Sequence, residues 1–255
     1  MKKKKILLIA GCSHTAGSEI DGTQDSFYNR QSSFGAKVAR ALGREPVNIA
    51  IPANTNVGIA RSILNWFHKK YIGPESMDIN VLCCWTEPTR LEVPSSIGQW
   101  RDYQSVCPAA DWFDDTCCHN YRVINGWHGG DKEEQDNLKL WHRVLADQQP
   151  YLEYQSWNMI LQIQFFLKMH NVPYMMSNAM PFYIHNNPSI KNLISMVDAN
   201  KYYNLHNPDE AFYEKYKNLG YTNKLAKYWH HGERPHHLYA EELLAFNEEK
   251  KCLTK

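Results

Sequence analysis

The chain has 255 residues, 43% of them hydrophobic, and a formal net charge of +1. Such a length and apolar content suit one domain, with or without large insertions, and a sizeable core, and in the near-neutral charge nothing argues for a nucleic-acid footprint. Seven cysteines, with Cys83-Cys84 and Cys117-Cys118 adjacent instead of spaced as a disulfide framework, read as reduced thiols of a cytoplasmic protein.

Lys2 to Lys5 is a solvated run of charge. The apolar run that follows predicts a first strand over residues 5–11, broken by a small, polar, Gly-bounded loop from Gly11 to Gly22. Lys2–Lys5, Ile6–Ala10 and Gly11-Cys12 also imitate a lipoprotein signal, with Cys12 as the lipidated residue. A signal needs an apolar region of roughly 7–15 residues, and Ile6–Ala10 falls short of it. No segment approaches the roughly 18 apolar residues of a membrane span, so no membrane partner is expected.

Ser33–Leu42 predicts a helix with Phe34, Val38, Ala39 and Leu42 on one face and Gly43 as its stop. Pro46–Ile51 reads as a second strand and Pro52–Asn56 as a polar turn. Asn56 caps a helix to about Tyr71 with Ile59, Ile63, Trp66 and Phe67 inward. Ile79–Trp85 predicts a third strand, apolar after Asn80 as a buried parallel strand should be. This alternation implies βαβ crossovers and a three-layer α/β/α sandwich on a mostly parallel sheet of four or five strands.

Residues 88–150 have poor periodicity and read as an irregular insertion with short helices over the carboxyl edge of the sheet. A helix over Tyr154–His170 and a strand over Val172–Ser177 resume the pattern. Residues 180–225 are irregular, and Ala240–Lys250 is a C-terminal helix after a His-rich segment at 230–237. With no linker or repeat, residues 1–255 form a single domain in this reading.

Ser13 is the first polar side chain after the first strand, at the edge where open α/β sheets bind ligands. A serine there needs a base, and imidazole, with an unperturbed pKa near 6.5, suits that task. The 230–237 segment returns to the same edge and offers His230, with His236 and His237 as alternatives. Backbone N–H groups after the first two strands, and Thr86 after the third, are placed to hold an oxyanion. His14 reads as a substrate contact. Arg90 reads either as an anion-binding guanidinium or, with Glu92, as one half of an ion pair. Cys117, Cys118, His119, His128 and His142 do not have the spacing of a zinc site, so neither a metal nor a cofactor is expected. Trp100, Trp112 and Trp127 stand in the least periodic region and are candidates to stack on a sugar, although aromatics are more often core and half of the tryptophans could simply fill the insertion.

These blocks resemble the SGNH/GDSL hydrolases, in particular divergent members among phage-encoded proteins. Ile9-Ala10-Gly11-Cys12-Ser13-His14-Thr15-Ala16-Gly17 resembles the nucleophile block. Asn48 to Asn56 resembles the second block, with Ala53 at the family's glycine; Asn54 and Asn56 follow it as substrate-binding candidates. Trp85 to Glu92 resembles the third, with Thr86 in place of the family's asparagine. Gly232, His236, Tyr239, Ala240 and Glu241 match the last block, which makes His230 the catalytic base. The resemblance implies an SGNH/flavodoxin-like fold and a serine esterase acting on a small-molecule or carbohydrate ester, O-acetylated sugar included. In it Ser13 attacks, His230 moves the proton, and Ser13, Ala53 and Thr86 hold the oxyanion. The alternative is an inactive binding or structural descendant, as a phage accessory or virion component. The family's acid stands three residues before the histidine; Lys227 is there, and no aspartate follows Asp209. The resemblance therefore leaves a Ser–His dyad or an incomplete triad, and it is silent on oligomeric state.

Overall fold

The computed structural model describes residues 3–71, 77–94, 121–124, 136, 139, 149–182, 188–227 and 229–254. Its centre is a four-stranded parallel sheet in the order β2-β1-β3-β6, built from β1 (Lys4–Ala10), β2 (Glu45–Asn48), β3 (Met77–Trp85) and β6 (Tyr174–Asn178). The register sets Ile9 beside Asn48 and Ala10 beside Cys83, so β1 and β2 end within a residue of each other and β3 runs two residues further.

Helices cover both faces, which is why the interior strands are apolar on both sides. Ile6, Leu8 and Ala10 pack with Val81 and Cys83 against α4 (Asn56–Lys70) and α5 (Gln149–Met169), through Ile59, Ile63, Trp157 and Ile160. Leu7, Ile9, Leu82 and Cys84 face α3 (Phe34–Ala41), α7 (Phe212–Asn218) and α8 (Glu233–Lys250), through Phe34, Val38, Phe212, Tyr239 and Leu243. The result is a mixed α/β fold with a parallel sheet between two helical layers. Trp66, Trp85 and Trp157 are all buried in the core.

Several boundaries differ from the sequence reading. The Gly11–Gly22 loop contains a one-turn helix, α1 (Ser13–Ala16), and Ser26 caps an unforeseen α2 (Phe27–Ser32) by accepting from Asn29 N. Strand β2 stops at Asn48 instead of Ile51. Its ladder continues only as single bonds, Ile49 N to Ile9 O at 2.8 Å and Ile51 N to Gly11 O at 3.1 Å. Thr55 rather than Asn56 caps α4, accepting from Gly58 N. Residues 188–195 form α6 (Pro188–Ser195), inside a stretch read as irregular. Helix α8 starts at Glu233, so His236 and His237 lie inside a helix and not in the segment before it.

Within the insertion, β4 (Leu91–Pro94) pairs antiparallel with β5 (Tyr121–Ile124). The other readings made there, on Trp100, Trp112, Trp127, Cys117, Cys118, His119, His128 and His142, fall outside the described residues. Cys12 is fully buried at the end of an interior strand. The lipidation alternative would remove that strand from the sheet.

Candidate active site

Strand β1 delivers its last residues into a crowded turn. A Cβ on Gly11 would strike the Thr15 side chain and lie 2.8 Å from Cys84 O, so only glycine passes there. Cys12 caps α1 in extended geometry, and Gly17 ends it at φ 82°. Ser13 is thus the first residue of a one-turn helix at the carboxyl end of the sheet. The first-turn N–H groups of this helix have no intrahelical acceptor.

His230 reaches this turn from the other end of the chain. Its ring centroid lies 4.7 Å from that of His14, the neighbour of Ser13. Its Nδ1 lies 2.6 Å from Oε2 of Glu19, which is 2% exposed. The other carboxylate oxygen of Glu19 accepts from Lys227 N at 2.8 Å, and Glu19 O accepts from Asn223 Nδ2 at 2.8 Å. Glu19 adopts φ 64°, which turns the loop sharply after α1. Behind it, Asp21 accepts from Thr23 N, Thr23 Oγ1, Ser26 Oγ and, through its own N–H, donates to Asn29 Oδ1. The bonds its carboxylate accepts outweigh slight desolvation and hold the Asp21 carboxyl below its usual range.

Glu19 is the member of this cluster that sequence reasoning missed. The only trace in the sequence is an acidic residue inside the short loop after the serine. Its partner is 211 positions away, and no local pattern reports such a contact.

The turn after β2 presents Ala53 with φ 58°, the left-handed conformation that favours the glycine this position resembles. The Ala53 N–H makes no hydrogen bond among the described residues. Asn54 Oδ1 accepts from Thr55 N, and its Nδ2 is buried without a partner among the described residues. Asn56 is consumed structurally: Nδ2 donates to Thr86 O and Ser156 Oγ, and Oδ1 accepts from Thr86 N. Thr86 is engaged on both sides, since its hydroxyl donates to Glu87 Oε2 at 2.8 Å. That leaves its proton unavailable for the oxyanion role expected of it.

Arg90 lies at 2.7 Å from Glu87 and donates to Asn54 O at 3.3 Å. The ion-pair reading is the one realised, but with Glu87; Glu92 pairs with Arg61 instead. Burial opposes the charge of Glu87, and the Arg90 guanidinium and Thr86 hydroxyl outweigh it, holding the carboxyl below its usual range.

The remaining histidines serve the framework. His236 is buried, stacks on Phe34, and accepts from Phe34 N at 3.2 Å. His237 is exposed on α8 and pairs with Glu241 at 3.3 Å. Neither contact involves the serine turn. His231 Nε2 lies 3.0 Å from Tyr213 O. His14 is buried among His230, Tyr213 and Phe212, and its Nδ1 has no partner among the described residues. Burial, joined by the nearby positive groups, pushes His14 and His236 well below the ordinary imidazole value, and burial lowers His231 too. Burial raises the Cys12 thiol, which argues against a cysteine nucleophile beside Ser13. Among the described residues no group of three or more His, Cys, Asp or Glu is arranged to hold a metal ion, and no helix is long and apolar enough to cross a membrane.

No protein-family model matches this chain, and no curated protein does. Solved structures do. The chain is similar in fold to GDSL-type esterases. A psychrotrophic esterase from Pseudoalteromonas sp., solved with monoethylphosphonate, is 11% identical, with 97% of this chain and 98% of that one covered at a TM-score of 0.41. A G-D-S-L family protein of Desulfitobacterium hafniense is 12% identical over 96% and 99%, at 0.35. A carbohydrate esterase family 2 enzyme with a carbohydrate-binding domain, from Corynascus thermopiles (Myceliophthora fergusii), is 12% identical over 97% and 67%, at 0.43. At such identities and TM-scores the likeness carries no residue of the site across to this chain.

Proposed function

We propose that this protein is a serine acyl hydrolase of the SGNH type. Ser13 Oγ attacks an ester carbonyl while His230 takes its proton; His230 then protonates the leaving alcohol, and water cleaves the acyl-enzyme by the same route. The N–H groups of Ser13 and Ala53 are the oxyanion donors in this reading, each worth roughly 2.7–4 kcal/mol if it acts as such donors do elsewhere. The observation that carries the reading is the approach of His230 to the Ser13-His14 turn, at the carboxyl end of an interior strand.

The substrate class proposed is a carbohydrate ester, O-acetylated sugar included. Trp229, next to His230, is 78% exposed at φ 67°, an indole face held out beside the site. Flat aromatic faces suit the apolar face of a sugar ring. The engagement of Thr86 by Glu87 favours one second reading, a non-catalytic binding protein that kept the fold, of the kind a phage carries as an accessory or virion component.

Hydrolysis of p-nitrophenyl acetate and labelling by a fluorophosphonate probe separate the two. Wild-type labelling that disappears in Ser13→Ala is the expected result. Folded wild type that neither turns over nor labels would leave the binding reading.

A further inference from the structure

The catalytic reading of Ser13 and His230 leaves open what holds the histidine, because the position three residues before it is Lys227. We propose that Glu19 is the acid of a Ser13–His230–Glu19 triad, supplied from the loop after the nucleophile instead of from the segment before the histidine. The proposal rests on the reading of Ser13 and His230 given above.

The contact between His230 Nδ1 and Glu19 Oε2, at 2.6 Å, is short even for a charge-assisted bond. Glu19 is 2% exposed and the His230 side chain 11% exposed. A carboxylate so buried is retained only when paired and hydrogen-bonded. Each Glu19 oxygen has a partner: Oε1 the N–H of Lys227, Oε2 the imidazole. The Lys227 contact is informative. It puts the Glu19 carboxylate against the backbone of the position where the resembling family carries its acid. The side chain of residue 227 has been replaced as a source of charge by one reaching over from residue 19. The Asn223 bond to Glu19 O ties the same strap a second time.

The chemistry follows from acceptor capacity. A carboxylate only accepts hydrogen bonds, so it selects the imidazole tautomer with its proton on Nδ1. Nε2 then carries the lone pair that receives the Ser13 proton. When Nε2 takes that proton the ring becomes an imidazolium, and the Glu19 charge faces it. Glu19 takes no proton itself; it acts through His230 as a positioning residue.

Two measurements test this. In folded wild type, the ¹⁵N shifts of His230, assigned by its loss in His230→Gln and followed up a pH series until the ring is neutral, should show its proton on Nδ1; an Nε2–H tautomer overturns the assignment without any change at Glu19. In the second, fluorophosphonate labelling and p-nitrophenyl acetate turnover are compared across wild type, Ser13→Ala, Glu19→Gln and Glu19→Asp, each checked for folding by circular dichroism. Glu19→Gln should lose about 10²–10⁴-fold in kcat with KM within about threefold, and Glu19→Asp should recover part of the loss. Glu19→Gln that labels at the wild-type rate overturns the role of Glu19 while the serine reading stands. Wild type that does not label overturns both.

Discussion

The buried pair of Arg30 and Asp25 gives a sharp test of how the second site-forming turn is held. Both side chains are nearly solvent-free, and the pair is bidentate: Arg30 Nε to Asp25 Oδ1 at 3.0 Å and Nη2 to Oδ2 at 2.6 Å. Arg30 Nη1 also donates to Asn48 O at 2.8 Å and Ala50 O at 3.0 Å, where strand β2 gives way to the turn bearing Ala53. Asp25→Ala leaves a guanidinium buried without its counter-charge, which costs about 3–5 kcal/mol. For a chain of this size each kcal/mol lowers Tm by about 2–4 °C, so the expected fall is about 6–20 °C. Arg30→Met leaves the carboxylate buried instead and should cost a similar amount. The double variant removes both charges at once, so its cost should fall short of the sum of the singles by about 2–3 kcal/mol. Urea unfolding at pH 7, followed by circular dichroism and tryptophan fluorescence, measures all three. An Asp25→Ala variant within about 0.5 kcal/mol of wild type, or strictly additive singles, would refute the account of Arg30 as the clamp of this turn.

Ala53→Gly should stabilise the protein by about 0.5–1 kcal/mol, because the left-handed backbone at φ 58° costs an L-residue roughly 1–2 kcal/mol, more than glycine's added unfolded-state entropy; thermal melts read the sign. Lowered imidazole values at His14, His231 and His236 mean that the unfolded chain binds protons the folded one does not. Stability is therefore full above pH 6.5 and falls below it, by up to about 4 kcal/mol per pH unit if all three rings stay neutral. A urea midpoint flat from pH 7 to 5 would contradict this. Cys12, Cys83, Cys84 and Cys252 are buried free thiols whose burial raises their pKa, Cys84 to about 12 and Cys252 to about 11. A thiol reagent at pH 8 should leave these four unmodified until the protein unfolds.

The strands were legible because two-sided burial makes β1 and β3 apolar runs, a signal that needs no partner to be read. Helices α3 and α4 were legible from their apolar faces and from Ser33 and the Thr55-Asn56 pair at their starts. Helix α2 was hidden because its buried residues are Asn29, Arg30 and Ser32, polar groups bonded inward, so it has no apolar stripe. The start of α8 was hidden because Pro235 and the histidines resemble a loop, although proline is tolerated in a helix's first turn.

The sequence alone determined the α/β alternation, the serine just after the first strand, and a histidine-rich stretch near residue 230. All three depend on neighbours along the chain. Only the tertiary structure told the histidines apart, because His236, His237 and His230 differ in what faces them, namely Phe34 N, Glu241 and Glu19. It likewise engaged Thr86 with Glu87 and brought Glu19 across 211 residues to the imidazole. A hydrogen-bond partner is chosen by packing in space, and spacing along the chain leaves no record of that choice.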